Sequence, residues 1–341
     1  MRVISTADGK QVQRISGEQR SESYTSSRPS EASELGHTLT KLLTGSLSKS
    51  SLNTYQRPWA VFAQFSANTF HTKTEIPISP DTLALFVAYL SDSGYAASTA
   101  LTYISAIGYV HRLSSLPDPS KSELIRLALR GYAKQKTPGD ARLRITLPIL
   151  EQLLSAFDHT ISSTYKGNLM KAMSVTAFFA ALRIGEITIR NPTCVRNLIQ
   201  LDQISFKRNR LGQVEAMQLS MKFFKHSDTS CPVVLSICPE KPVCPLSILA
   251  LYLSLRGYTN GPLFCWPDNS PVRRQFFVNA LNNALGFCGL DHKDYKTHSF
   301  RIGAASWAAE KGMSDSKIKL FGRWKSSAFV RYIRTPTLGS A

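Results

Sequence analysis

The spacing of apolar residues changes period once along this chain and then changes back, and that switch limits the folds open to it. Over the first half, apolar side chains recur at three- and four-residue steps, the signature of helices packed on one face. Between Leu198 and Ile237 the pattern becomes short, β-branched or alternating: LIQLDQISF, EAMQLSMKFF and PVVLSI, separated by turn residues such as Asn209, Gly212 and Asp228. Helical spacing resumes with PLSILALYLSLR, which opens on Pro245. The expected fold is therefore mainly α with a small antiparallel sheet of three strands, an α+β chain of two domains.

Local signals divide it further. Residues 1–40 are rich in Ser, Thr, Gln, Glu and Arg and are expected to form a disordered tail. A helical domain is expected over residues 41–135. Its first face is Leu52, Tyr55, Trp59, Phe62 and Phe65, with Pro58 marking a kink or a late start. Ser79-Pro80-Asp81 reads as an N-cap followed by proline at the first helical position, and Gly94 fits the far end. Two more helices are predicted, over about Ser98–Leu113 and Ser120–Tyr132. Residues 136–145, basic around Pro138 and Gly139, read as a linker. Its charges suit solvent and a phosphate backbone equally.

The second domain is expected over residues 146–341. LPILEQLLSAF and KAMSVTAFFAALR precede the strands; VRRQFFVNALNNALGF and THSFRIGAASWAAEKG follow them, the last with Thr297 as N-cap and Gly312 as stop. Two short helices, SDSKIKLFG and SSAFVRYIR, complete it.

Charge narrows the partners. There are 41 Lys and Arg against 23 Asp and Glu, a formal net charge of +18. A globular protein this basic usually meets a polyanion, and nucleic acid is favoured over a merely basic surface. No apolar stretch approaches the ~20 residues of a membrane span, and the N-terminus lacks an apolar signal core. The six cysteines form no CxxC pair and read as reduced thiols. Cys231, Cys238 and Cys244 offer a weak zinc alternative. No P-loop pattern and no carboxylate cluster suited to Mg²⁺ stands out, so no cofactor is expected.

Several residues carry chemistry, each with a plainer reading beside it. His298 and Arg301 lie three apart near a predicted helix N-terminus, where an anion is favoured; HxxR alone also arises by chance. Arg183 ends an apolar helix just before Ile184-Gly185-Glu186. It is either an ion-pair partner of Glu186 or a phosphate fork that Glu186 only steadies. Lys225, in FFKHSD, sits at a predicted strand turn, where most lysines are solvated; Lys222 on the preceding strand competes with it. A lysine folded over a site protonates a leaving alkoxide. Trp324 is core or an N–H donor. Tyr332, in FVRYIR, is the only tyrosine after Arg301. A neutral phenol is a poor nucleophile, and neighbouring guanidiniums favour its anion. The basic runs 206–210 and 271–275 read as solvated faces.

In order along the chain stand Arg183, Lys225, His298-Ser299-Phe300-Arg301, Trp324 and Tyr332, within FFAALRIGE, THSFRIGAA and GRW. This set resembles the tyrosine recombinase (phage-integrase-like) family. The resemblance is loose over the helical domain and good from about residue 146 to 335. It implies that Arg183 and Arg301 clamp a DNA phosphodiester, that Lys225 is the general acid and that His298 assists proton transfer. Trp324 stands where many members have a second histidine, and Tyr332 would attack to form a 3′-phosphotyrosyl link. It implies double-stranded DNA as partner, four protomers on two sites, and no ATP. Trp324 cannot do acid–base work, and its eight-residue step to Tyr332 is one shorter than in many bacterial members. THSFRIGAA with GRWKSSAFVRYIR resembles recombinases of eukaryotic mobile elements, of the DIRS-like and Crypton classes, which implies a nuclear location. An inactive DNA-binding descendant and a type IB topoisomerase are the alternatives.

Overall fold

A computed structural model of the chain describes residues 31–47, 49–136, 142–191, 195, 197–221, 224 and 233–334. The chain divides into two compact units, Met1–Pro138 and Gly139–Ala341.

The first unit is helical: α1 (Glu31–Gly45), α2 (Lys49–Phe70), α3 (Pro80–Asp92), α4 (Ala97–Leu113) and α5 (Glu123–Lys136). Residues 31–40 of the expected disordered tail are thus helical, and residues 1–30 lie outside the described residues. Leu35, Leu39 and Leu42 recur at helical steps within α1, a stripe too sparse to register as an apolar run. Pro58 lies inside α2 rather than at its start. In α3 the Ser79 hydroxyl accepts from the Thr82 N–H, and Pro80 takes the first turn, where its missing donor costs nothing. The core is aromatic and aliphatic, built around Phe62, Phe65, Phe86, Leu90, Ile104 and Ile107. The Phe62 and Phe86 rings meet edge to face at 4.9 Å.

In the second unit α6 (Leu147–Thr160) and α7 (Thr164–Phe179) come first. Thr146 caps α6 through the Ile149 N–H. Then β1 (Ile204–Arg208), β2 (Val214–Met221) and β3 (Val233–Ile237) form an antiparallel meander in that order, with a bulge at Lys207/Arg208. Alternate residues of β2, Met217, Leu219 and Met221, are buried, as a one-sided sheet requires. Next come α8 (Pro245–Arg256), α9 (Arg274–Phe287), α10 (Ser299–Glu310) and α11 (Asp315–Phe321). SSAFVRYIR forms a 3₁₀ turn over Ser327–Tyr332 instead of the expected short α-helix.

Helix α10 runs through the middle of this unit, with nearly every residue from Ser299 to Ala308 buried. Its small residues allow that. A Cβ on Gly303 would lie 1.9 Å from the Ile145 carbonyl oxygen. The incoming segment is bound there: the Leu143 N–H donates to Asp294 and the Ile145 N–H to Ser299, and Ile145 is fully buried. The C-terminal end of the expected linker thus belongs to the second unit's core. Residues 137–141, which include Pro138 and Gly139, lie outside the described residues.

Candidate active site

Four stretches distant in sequence meet at the start of α10: the turn after α7, α10 itself, the end of α11 and the closing 3₁₀ turn. Helix α7 stops at Phe179 because Ala181 takes a left-handed conformation (φ 44°). This reversal leads into a new turn, Ile184–Glu186, capped by Arg183, whose own backbone N–H donates to the Glu186 carboxylate at 2.8 Å. The Arg183 guanidinium reaches the other carboxylate oxygen only at 3.3 Å, and its side chain is 23% exposed. Both sequence readings of Arg183 are therefore present at once: a loose pair with Glu186, and an accessible fork.

Arg301, in the first turn of α10, is 1% exposed. One terminal nitrogen donates to the Ala181 carbonyl and the other to the Gly322 carbonyl. The Trp324 ring covers it, with its centroid 4.2 Å from the guanidinium carbon. Burial, and then the neighbouring Arg183 and Arg323 cations, push the Arg301 guanidinium down to about 9. Three guanidiniums (Arg183, Arg301, Arg323) gather near one carboxylate, Glu186, leaving two positive charges without a counter-ion among the described residues. An excess of buried cation favours an anionic ligand.

His298 occupies the N-cap of α10. Thr297, expected there, instead accepts a hydrogen bond from Arg274 at 3.3 Å. The His298 Nε2 lies 2.9 Å from the Tyr332 hydroxyl. Tyr332 is held against α10 through Ser306, whose hydroxyl donates to the Tyr332 carbonyl and accepts from the Arg334 N–H. Phe329, buried with Ala308 and Ile318, anchors the same turn. The eight-residue step from Trp324 therefore leaves the phenol at the site. Its ring lies 5.1 Å from that of Trp324 and 5.9 Å from the Arg301 guanidinium. Trp324 packs flat over Gly322, where a Cβ would fall 1.5 Å from the indole.

Five of the sequence-derived residues, Arg183, His298, Arg301, Trp324 and Tyr332, thus converge. Lys225, and its competitor Lys222, lie outside the described residues. So does Cys231 of the zinc alternative, while Cys238 and Cys244 are free thiols. Among the described residues no three His, Cys, Asp or Glu side chains are grouped to hold a metal. The basic run at 206–210 engages its own hairpin, Lys207 pairing with Glu215 and Arg208 donating to the Gly212 carbonyl. The residue that sequence reading missed is Arg323. The GRW triplet was visible, but only its tryptophan was given a role. The arginine, in a left-handed conformation (φ 54°), turns inward and is fully covered.

No protein-family model matches the chain. The integrase/recombinase XerD homolog of Selenomonas ruminantium is 23% identical over 301 residues, covering 83% of this chain and 81% of its own. The recombinase Cre of Escherichia phage P1 is 22% identical over 308 residues, covering 82% and 81%. Over more than four-fifths of its length the chain is thus similar to site-specific recombinases of the tyrosine recombinase family. Solved structures share the chain's fold. The XerH site-specific recombinase in a post-cleavage complex with its difH substrate has a TM-score of 0.58 at 14% identity, covering 82% of this chain and 75% of that one. A lambda integrase tetramer on a Holliday junction has a TM-score of 0.54 at 15% identity, covering 87% and 78%.

Proposed function

We propose that this recombinase cuts and rejoins double-stranded DNA through Tyr332. The observation that carries the reading is the 2.9 Å contact between His298 Nε2 and the Tyr332 hydroxyl, beside two arginine forks. In this reading the phenol donates to Nε2, so His298 carries its own proton on Nδ1 and is ready to accept another. Arg183 and Arg301 hold two non-bridging oxygens of the phosphate, where charge grows in the transition state. The tyrosine oxygen bonds to phosphorus as the P–O5′ bond breaks. The DNA 3′ end stays on the enzyme as a phosphotyrosine, and the 5′ oxygen takes a proton from Lys225 or Lys222. A 5′-hydroxyl from another strand reverses the step. One phosphodiester replaces another, so no nucleotide is consumed. Trp324 shields and orients Arg301.

The assembly belongs to the same proposal: four copies on two DNA sites, in keeping with the net charge of +18 and with the lambda integrase tetramer that shares the fold. The THSFRIGAA and GRWKSSAFVRYIR motifs support a role in moving a eukaryotic mobile element, hence a nuclear location.

A nicked suicide duplex in EDTA tests the chemistry. Wild type is expected to form a covalent protein–DNA adduct and Tyr332→Phe none. An adduct that survives the substitution, or forms only with Mg²⁺, overturns the proposal. Relaxation of supercoiled DNA lacking any specific site would assign the same chemistry to a topoisomerase instead.

A further inference from the structure

Arg323 is a guanidinium placed where none is needed for packing. Its side chain is wholly buried. It donates to the carbonyls of Ala180 and Ala181, each at 3.2 Å, and to Glu186 Oε2 at 2.9 Å. Replacing the whole Arg323–Glu186 pair by apolar residues of similar volume would avoid the cost of taking two charges out of water, and buried ion pairs add little stability over such replacements. The charge therefore calls for another explanation.

The arrangement around Glu186 supplies one. Oε2 is taken by Arg323 and by the backbone N–H of Arg183. Oε1 is left with the Arg183 guanidinium at 3.3 Å, a long contact for a charged pair. Remove the Arg323 charge, and Glu186 becomes a nearly buried carboxylate with Arg183 as its one guanidinium partner among the described residues. Coulomb attraction in so dry a place draws the two into a tight fork-to-carboxylate pair. The Arg183 fork would then be spent on Glu186. Arg301 is coupled to the same corner, since it shares the Ala181 carbonyl with Arg323 and holds the carbonyl of Gly322, the residue just before it.

We infer that Arg323 is a positioning residue for DNA cleavage: by occupying Glu186 it keeps the Arg183 guanidinium loosely held and free to turn to the scissile phosphate. The inference rests on the proposal that Arg183 clamps that phosphate.

The test is single-turnover adduct formation on the nicked duplex at saturating protein, well below each variant's melting temperature, with DNA affinity and Tm measured in parallel. Arg323→Met is expected to lose cleavage by about 100-fold, the size typical of one lost transition-state donor, with DNA affinity nearly unchanged. Arg323→Lys restores a charge beside Glu186 but cannot serve both carbonyls. It should cleave within about tenfold of wild type although its Tm is lowered. Adding Glu186→Gln to Arg323→Met releases Arg183 and should recover most of the lost rate. Should Arg323→Met not fold, Arg323→Lys decides: cleavage kept at a reduced Tm supports the inference, and cleavage that falls in step with Tm overturns it. An Arg323→Met protein that binds DNA and cleaves like wild type also overturns it. Absence of any adduct with wild type would instead sink the Tyr332 reading, on which this one depends.

Discussion

The two units bury very different things. The core of the first is aromatic and aliphatic, and among the described residues Ser66 and His111 are buried polar side chains in it. His111 is fully matched: the Ile78 N–H donates to its Nε2 and its Nδ1 donates to the Ile107 carbonyl, each at 2.9 Å, an arrangement that fits the neutral ring. The second unit buries Glu186, Arg301 and Arg323 at its heart. One region fills its interior with apolar packing, and the other buries more cation than anion. Strained backbone accompanies the charge: Ala181, whose carbonyl accepts from both buried guanidiniums, and Arg323 itself are left-handed without being glycine.

That contrast can be broken by substitution, first in the charged region. Arg301→Lys is expected to slow adduct formation by roughly 10²- to 10³-fold, because one ammonium cannot reach the carbonyls of Ala181 and Gly322 and a phosphate together. Rapid-quench cleavage of the nicked duplex checks it; near-normal rates would mean that Arg301 is structural. In the first unit Phe86→Ala should cost about 3–5 kcal/mol in chemical denaturation, with cleavage chemistry unaltered in protein that remains folded. His111→Leu strands one backbone donor and one acceptor, and should cost about 1–3 kcal/mol by the same measurement. The smallest effect sharpens the comparison most. Sulfate at ten times its dissociation constant should stabilise the protein by about 1.4 kcal/mol, read as a rise in Tm. Arg183→Ala should blunt that rise, and Phe86→Ala should leave it intact. A sulfate response independent of Arg183 would place the anion elsewhere.

Much of this was legible in sequence because it rests on local rules. Period alone marked the sheet between helices, and Ser79-Pro80 announced a helix start that the structure keeps. The pairing of His298 with Arg301 followed from helical spacing, and Tyr332 from having no rival downstream. What escaped was tertiary. The inward turn of Arg323 depends on one left-handed residue after Gly322 and on a carboxylate 137 positions earlier in the chain. Thr297 has the chemistry of a cap, but the neighbouring Arg274 claims its hydroxyl. Helix α1 carries too few apolar residues to be seen against a polar background; its leucines at 35, 39 and 42 remain exposed even once folded.

The glycine of α10 has a mechanical consequence. Because Gly303 admits the Ile145 carbonyl, and Leu143 and Ile145 are bonded to Asp294 and Ser299, the strand arriving from the first unit is riveted on both sides of His298. Ile145 is thus pinned to the helix that carries Arg301, and a single methyl added at Gly303 would push one off the other.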